Sequence, residues 1–374
     1  MLRGHEDGLT LVEMLIAIVL MSLVVVTFYE LIGVAVRGWA ALEGQMDVQQ
    51  QPRVAFTRVS SEVRQARDFV IGGAGRELGL VKVTVLVQDA AAGLTTLEVE
   101  DASVLASGMP LAILSLDRVE RATVSGVSGT TVTLSSGLAR GHRRGELVLR
   151  AQTTLNGAAV AGLPSFTVDD GSVLRTGDVV ALGDEGPLNV LTVTGNLVTL
   201  TASLTQSHAD GEVVQPLTVM FQCEGACLDP GVQLTRCTAG CAVPANRIPL
   251  ADLLAAPAGR TVFAAVTSPL AAPVGQGATQ VCPASTAGFA PDDRIQIGRE
   301  VHGATGADLP DRRRVAAIAG GCLTLDRGLS RSYPAGTAVR VNVVELTARA
   351  FRANDAIGGQ VQEVVVTTKA GLRN

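Results

Sequence analysis

Three kinds of residue in this 374-residue chain have the type and spacing to do chemistry. Glu13 is the only charged residue between Leu9 and Val26. A carboxylate four residues inside an apolar run is costly to bury unpartnered, and such a residue marks function by default. The six cysteines all lie beyond residue 220. Cys223, Cys227, Cys237 and Cys241 are spaced C-x3-C-x9-C-x3-C, which suits disulfides in an oxidising compartment or a four-thiolate zinc site. Cys282 and Cys322 stand apart from them. The third kind is a scatter of polar groups in the middle of the chain: His142 and His208, the aspartates Asp101, Asp169, Asp170, Asp178, Asp292 and Asp293, and two arginine runs, Arg140 with Arg143 and Arg144, and Arg312 to Arg314.

Most of the third group has a structural reading. His142 and His208 occupy equivalent places in an internal repeat whose third copy has Tyr333 there, so the position reads as part of the fold rather than as a metal ligand. The aspartates fall at turns, where they cap their own backbone. Oxygen-rich turns also suit calcium, but no D-x-D-x-D-G loop accompanies them. The arginine runs read as solvated loops, with DNA or an anionic sugar as the alternative contact. There is no nucleophile–base pair, Gly-rich phosphate loop or pair of catalytic carboxylates in a recognisable context. The chain is therefore expected not to be an enzyme, and no cofactor or metal is expected.

The element that positions Glu13 is the apolar run. Eighteen residues, Leu9 to Val26, make about 27 Å of helix at 1.5 Å per residue, close to the ~30 Å of a bilayer core. The run does not follow a secretory signal pattern, in which a small-residue cleavage site comes after the apolar core. Here Gly8 lies before it, at the end of the polar stretch Met1–Gly8.

Glycine, apolar run and glutamate at this spacing, Gly8 to about Leu20, resemble the N-terminus of type IV prepilins and pseudopilins. That resemblance implies cleavage by prepilin peptidase after Gly8 and methylation of the new N-terminus at Leu9. It also implies that Glu13, the fifth mature residue, partners the terminal amine of a neighbouring subunit. Leu9 replaces the commoner phenylalanine, and Glu6 and Asp7 make the leader more acidic than usual. The implied partners are other pilin or pseudopilin subunits, the peptidase, an inner-membrane assembly platform and, before assembly, inner-membrane lipid. The implied location is a single-pass inner-membrane precursor with its body outside the cytoplasm, then a periplasmic or cell-surface filament. An extracytoplasmic body favours disulfides over zinc for the four-cysteine group.

Composition fits a folded body: 47% hydrophobic and 17% charged residues exclude a disordered chain. A net charge of −5 argues against a generally nucleic-acid-binding surface. After the apolar run, Phe56, Val59, Val63, Ala66 and Val70 recur at helical spacing and predict an amphipathic helix, interrupted or kinked at Pro52 and stopped by Gly72-Gly73-Ala74-Gly75. Beyond it, three stretches share landmarks. Leu134, Leu138, His142 and Gly145 match Leu200, Leu204, His208 and Gly211, and then Leu325, Leu329, Tyr333 and Gly336, with steps of four, four and three. Alternation as in Thr131-Val132-Thr133-Leu134 reads as half-buried strand, which predicts three small β modules. Registering the third copy on the first places Cys282 at Glu98 and Cys322 at Thr131, near the ends of strands that must meet; this predicts a Cys282–Cys322 disulfide.

The predicted architecture is α+β: a leader at 1–8, a transmembrane and amphipathic helix at 9–70, a connector at 71–93, modules at 94–150, 163–214 and 279–341, and an antiparallel pilin sheet split between 215–265 and 342–374. The first two modules are expected between helix and sheet, the third within the sheet. The hairpin around Leu228-Asp229-Pro230-Gly231, the stretch Leu250-Ala251-Asp252-Leu253 and the end Leu372-Arg373-Asn374 resemble PilW-like minor pilins and large pseudopilins. The function implied is a minor subunit, low in copy or at the tip, of a type IV pilus or related filament. The alternatives are a pseudopilin of a type II secretion system, or a filament-displayed adhesin or DNA-uptake receptor whose inserted modules bind a glycan or DNA.

Overall fold

The computed structural model describes residues 11–372, apart from 116–117, 184, 224–232, 239–240, 242–245, 252–253, 256–260, 300, 304–305, 309 and 355–359. One helix, Leu11–Gln65, precedes an all-β body. It passes through Pro52 without ending. The backbone hydrogen bond lost there is outweighed by the burial of Ala55, Phe56, Val59 and Val63 in the next turns. The helix stops at Gln65, five residues short of the predicted end, and Ala66–Gly72 is a strand. Gly72–Gly75 is therefore a hairpin turn rather than a helix stop. Gly75 sits at φ +81°, and a Cβ there would lie 2.3 Å from Thr261.

The predicted single sheet is two. The first has the order Ala66–Gly72, Glu77–Lys82, Val219–Cys223, Leu234–Cys237, Ile248–Ala251, all antiparallel. In the second, Val343–Asn354 pairs along its whole length with Gln360–Gly371, and on its other edge with Leu254–Ala255 and Phe263–Ala264. The helix face packs on both. Phe56, Val59 and Val63 share a core with Leu78, Leu80, Phe221 and Leu234 of the first sheet and with Phe263, Val344 and Leu346 of the second. Each such large side chain contributes about 1.5–3 kcal/mol. Strand alternation sends Val81 and Met220 to the opposite face, into a core shared with the first two modules. A buried ionic knot locks helix to sheet: Glu62 takes Lys82 at 2.9 Å, Arg236 at 3.0 Å and Arg58 at 3.3 Å.

Each module is a strongly curled, six-stranded half-barrel with one strand order. In module 1 the order is Thr84–Val85, Leu147–Arg150, Pro110–Leu114, Val119–Ser128, Thr131–Leu134, Thr96–Glu98. Module 2 runs from Thr153–Thr154 to Val213–Pro216, and module 3 from Thr267–Pro269 to Ala338–Val341, with equivalent strands in the same places. The modules begin about ten residues earlier than the repeat landmarks suggest, because each opens with a strand of only two or three residues. The stretch 71–93 is correspondingly no connector. It holds a strand of the first sheet and the opening strand of module 1.

The insertion points also differ from expectation. The chain leaves the first sheet at Lys82 and returns at Thr218. The Thr218 N–H donates to the Leu80 carbonyl at 2.8 Å, and its hydroxyl accepts the Lys82 N–H at 2.7 Å. Modules 1 and 2 are thus inserted inside the sheet, after its second strand. Module 3 leaves the second sheet at Ala264 and rejoins it at Val343; Phe263 pairs with Leu346 there. Module 3 also docks on the outer strand of the first sheet: Arg340 meets Asp68 at 2.9 Å, Arg299 meets Asp68 at 3.8 Å, and Arg312 donates to the Arg67 carbonyl at 2.9 Å.

Candidate functional site

Leu11–Val36 is long and apolar enough to cross a membrane, with a mean hydropathy of 2.7 and no buried residue in its most apolar stretch. Leu11 is 82% exposed and Phe28 65%, and apolar side chains point in all directions. A helix that is apolar all round requires an environment to bury it, lipid or the helices of other subunits. Glu13 stands in its first turn. A negative group is favoured there by the helix dipole. Gly8 and Leu9 lie outside the described residues.

Residues 3–29 match the family model described as the Prokaryotic N-terminal methylation motif. The chain has a prepilin-type N-terminus. No curated protein matches the chain. The N-terminus is type IV pilin-like, and such a motif implies processing by prepilin peptidase, other pilin subunits as partners, and an inner-membrane precursor whose body is extracytoplasmic. Proteins with this N-terminus are generally structural rather than enzymatic.

In the body of this pilin-like chain, Cys237 and Cys241 are joined, with Cα atoms 5.6 Å apart. Cys223 is also disulfide-bonded, and Cys227 lies outside the described residues. Among the described residues no group of His, Cys, Asp and Glu is arranged to hold a metal. Cys282 and Cys322 are bridged, 40 residues apart in sequence, with a Cα separation of 4.1 Å. The bridge lies one step beyond the paired Val281 and Leu323. In module 1 the same step is the pair Glu98 and Thr131, joined by a side-chain hydrogen bond; in module 2 it is Thr167 and Leu197.

The His, His, Tyr position is a recurring closure. His142 faces Glu146 at 2.7 Å through Nδ1 and Glu120 at 3.0 Å through Nε2. His208 repeats this with Glu212 at 3.1 Å and Glu185 at 2.7 Å. In module 3 the Tyr333 hydroxyl donates to Asp311 Oδ2 at 3.1 Å and accepts the Asp311 N–H at 2.9 Å. Each of the three also pairs its backbone with the first loop of its module, at Ala90, Ala159 and Val274. Burial tends to raise the Glu185 pKa, but hydrogen bonds from His208 and Thr205 hold it below the usual carboxylate range. Burial raises the Tyr333 pKa above the ordinary phenol value, despite Arg331 beside it. The carboxylate partners were missed by sequence reasoning. The signal available was H-x3-E, present at His142–Glu146 and His208–Glu212.

The turn aspartates act as backbone caps and inter-module ties. Asp101 accepts the Ser103 N–H at 2.8 Å, Asp170 the Ser172 N–H at 3.1 Å, and Asp293 the Ala290 N–H at 2.7 Å. Asp178 does both: it accepts the Arg175 N–H at 2.6 Å and receives Arg150 of module 1 at 2.9 Å. The two arginine runs part company. Arg312, Arg313 and Arg314 lie on the strand Asp311–Ala319, not in a loop; Arg312 reaches Arg67, Arg313 pairs with Asp311, and Arg314 meets Asp292 at 3.3 Å. Arg140, Arg143 and Arg144 are exposed.

Proposed function

We propose that this protein is a low-copy subunit of a type IV pilus or related filament, cleaved after Gly8, methylated at Leu9, and assembled through its N-terminal helix. The observation that carries the reading is the exposed apolar helix Leu11–Val36 with Glu13 in its first turn, inside the segment that matches the methylation motif. In an assembled bundle of such helices the Glu13 carboxylate meets the terminal amine of Leu9 on a neighbour. A charge pair in that low dielectric is tolerated only when both members are satisfied, so the pairing fixes axial register. The size of the body supports a tip or low-copy position. Three half-barrels project from the sheets that cover the helix, and their bulk would obstruct repeated close packing of identical subunits.

The test is Glu13→Ala in the producing organism, following precursor, mature form and sheared filament fraction by immunoblotting. Cleavage is expected to proceed normally while incorporation into filaments drops at least tenfold. Normal incorporation of the variant overturns the assembly role of Glu13. An uncleaved wild-type chain overturns the processing step.

A further inference from the structure

The three modules share one loop, between the last core leucine and the turn glycine that leads into the final module strand. In module 1 it reads Ala139-Arg140-Gly141-His142-Arg143-Arg144-Gly145; in module 2, Thr205-Gln206-Ser207-His208-Ala209-Asp210-Gly211; in module 3, Ser330-Arg331-Ser332-Tyr333-Pro334-Ala335-Gly336. The middle residue does the same structural job in all three. The residues around it do not. Arg331 of module 3 is occupied: its Nε donates to the Tyr333 hydroxyl at 3.0 Å and its guanidinium lies 5.0 Å from the ring centroid. Asp210 of module 2 accepts the Gly157 N–H at 2.7 Å. Among the described residues, the side chains of Arg140, Arg143 and Arg144 make no hydrogen bond or ion pair, and all three are exposed.

The loop that carries them is rigid. His142 and Ala90 exchange backbone hydrogen bonds at 2.7 and 2.9 Å, Gly145 donates to Leu86 at 2.8 Å, and the Arg144 N–H is held by Asp89 at 2.7 Å. The His142 ring is clamped by Glu120 and Glu146. Three guanidinium groups within five residues are thus presented on a fixed backbone, which lowers the ordering cost of binding. Module 1 as a whole, residues 84–150, carries six arginines and seven carboxylates, and three of those carboxylates, Asp89, Glu120 and Glu146, brace this loop; any attraction for an anion therefore rests on the three exposed guanidinium groups and not on the net charge of the module.

We infer that the Arg140–Arg144 loop of module 1 is an anion-binding surface for the phosphate backbone of duplex DNA. Planar guanidinium groups match phosphate oxygens, and a duplex presents one charge per ~1.7 Å of axis. The composition of the module selects among polyanions. Residues 84–150 contain no Phe, Tyr or Trp. There is no aromatic plane on which a sugar ring or an unpaired base could stack, which removes the usual basis for single-strand recognition. Backbone contact alone leaves binding independent of base sequence and strongly dependent on salt. The inference does not depend on filament assembly, since neither the loop nor its supports touch Glu13 or the apolar helix.

The test is fluorescence anisotropy of a labelled 20-base-pair duplex with the full-length protein in neutral detergent, across 50–200 mM salt. Three phosphate contacts predict a slope of log K against log salt near −2.7, about a 40-fold weakening over that interval. Replacing Arg140, Arg143 and Arg144 with Gln should remove at least tenfold of the affinity at 50 mM and flatten the slope; replacing them with Lys should keep the slope and lose a smaller part of the affinity. Arg331→Gln should change neither. Circular dichroism on each variant verifies that the fold is kept. The inference is overturned if the Gln variant binds like the wild type, if the wild type shows no salt-dependent binding, or if heparin or single-stranded DNA binds more tightly than the duplex.

Discussion

Modules 2 and 3 close the same six-stranded half-barrel with different chemistry, and the contrast shows what the fold requires and what it leaves open. In module 2 the closing side chain is His208, buried between Glu185 and Glu212. In module 3 it is Tyr333, whose hydroxyl bridges the backbone and side chain of Asp311. Both anchor the last loop to the first through an identical backbone pair. The fold therefore requires a large side chain that satisfies a buried carboxylate at this point, not a charge. Module 3 adds a covalent clamp, Cys282–Cys322, at a ladder position where module 2 has Thr167 and Leu197. It also carries the hairpin Val301–Gly303 with Gly306–Asp308, for which the other modules have no counterpart among the described residues. The clamp sits in the copy with the longest excursion to restrain.

The largest way to break the contrast is His208→Ala. It leaves the Glu185 side chain, 5% exposed, without its imidazole partner. Breaking a buried charge pair costs about 3–5 kcal/mol, and the loss here falls toward the lower end because the Thr205 N–H and hydroxyl still donate to Glu185. Hydrogen exchange should show faster opening of Val179–Leu182 and Leu197–Leu200, with module 3 unaffected; equal acceleration in both modules would refute independent closure. Next in size is the double substitution Cys282→Ser with Cys322→Ser. A 40-residue loop predicts at most about 4 kcal/mol, confined to module 3. Proteolysis restricted to residues 267–341 is the expected readout, and unchanged resistance there would show the clamp to be redundant.

The smallest effect sharpens the contrast through pH. The folded pKa of Glu185 is held below its ordinary value of 4.5. Its contribution to stability is therefore complete above that value and is lost as pH falls through the lower, folded pKa. Acidification below the ordinary carboxylate range should loosen module 2, and Glu185→Gln should blunt that dependence while lowering stability at neutral pH. An acid response that is the same in the variant would assign the effect to other carboxylates.

The N-terminus was the most legible part of the chain, because membrane insertion and processing impose a spacing that survives without any tertiary context. The repeat was legible through its strands with period-two alternation, such as Thr131–Leu134 and Leu197–Leu200. The opening strands were not, since two or three residues carry no pattern. The helix end was missed for a related reason. Ala66 and Val70 extend the helical stripe of Phe56, Val59 and Val63, yet Phe69 and Ile71 also alternate as a strand, and only pairing with Glu77–Lys82 decides between the two. Likewise, nothing local reveals that Lys82 and Thr218 are neighbours, so the first insertion point was placed one hairpin too early. Nothing local marks Glu62 as the centre of a buried knot, because its partners Lys82 and Arg236 are 20 and 174 residues away.

The way each insertion leaves and re-enters on adjoining strands has a mechanical consequence. Tension on the helix passes into the sheets through the Glu62 knot and the shared core, and the backbone there is bridged at Leu80 and Thr218 before it enters modules 1 and 2. The half-barrels hang beside the load path rather than in series with it. A chain pulled between its helix and its last strand, Gln360–Gly371, would stretch its sheets before any module bore force.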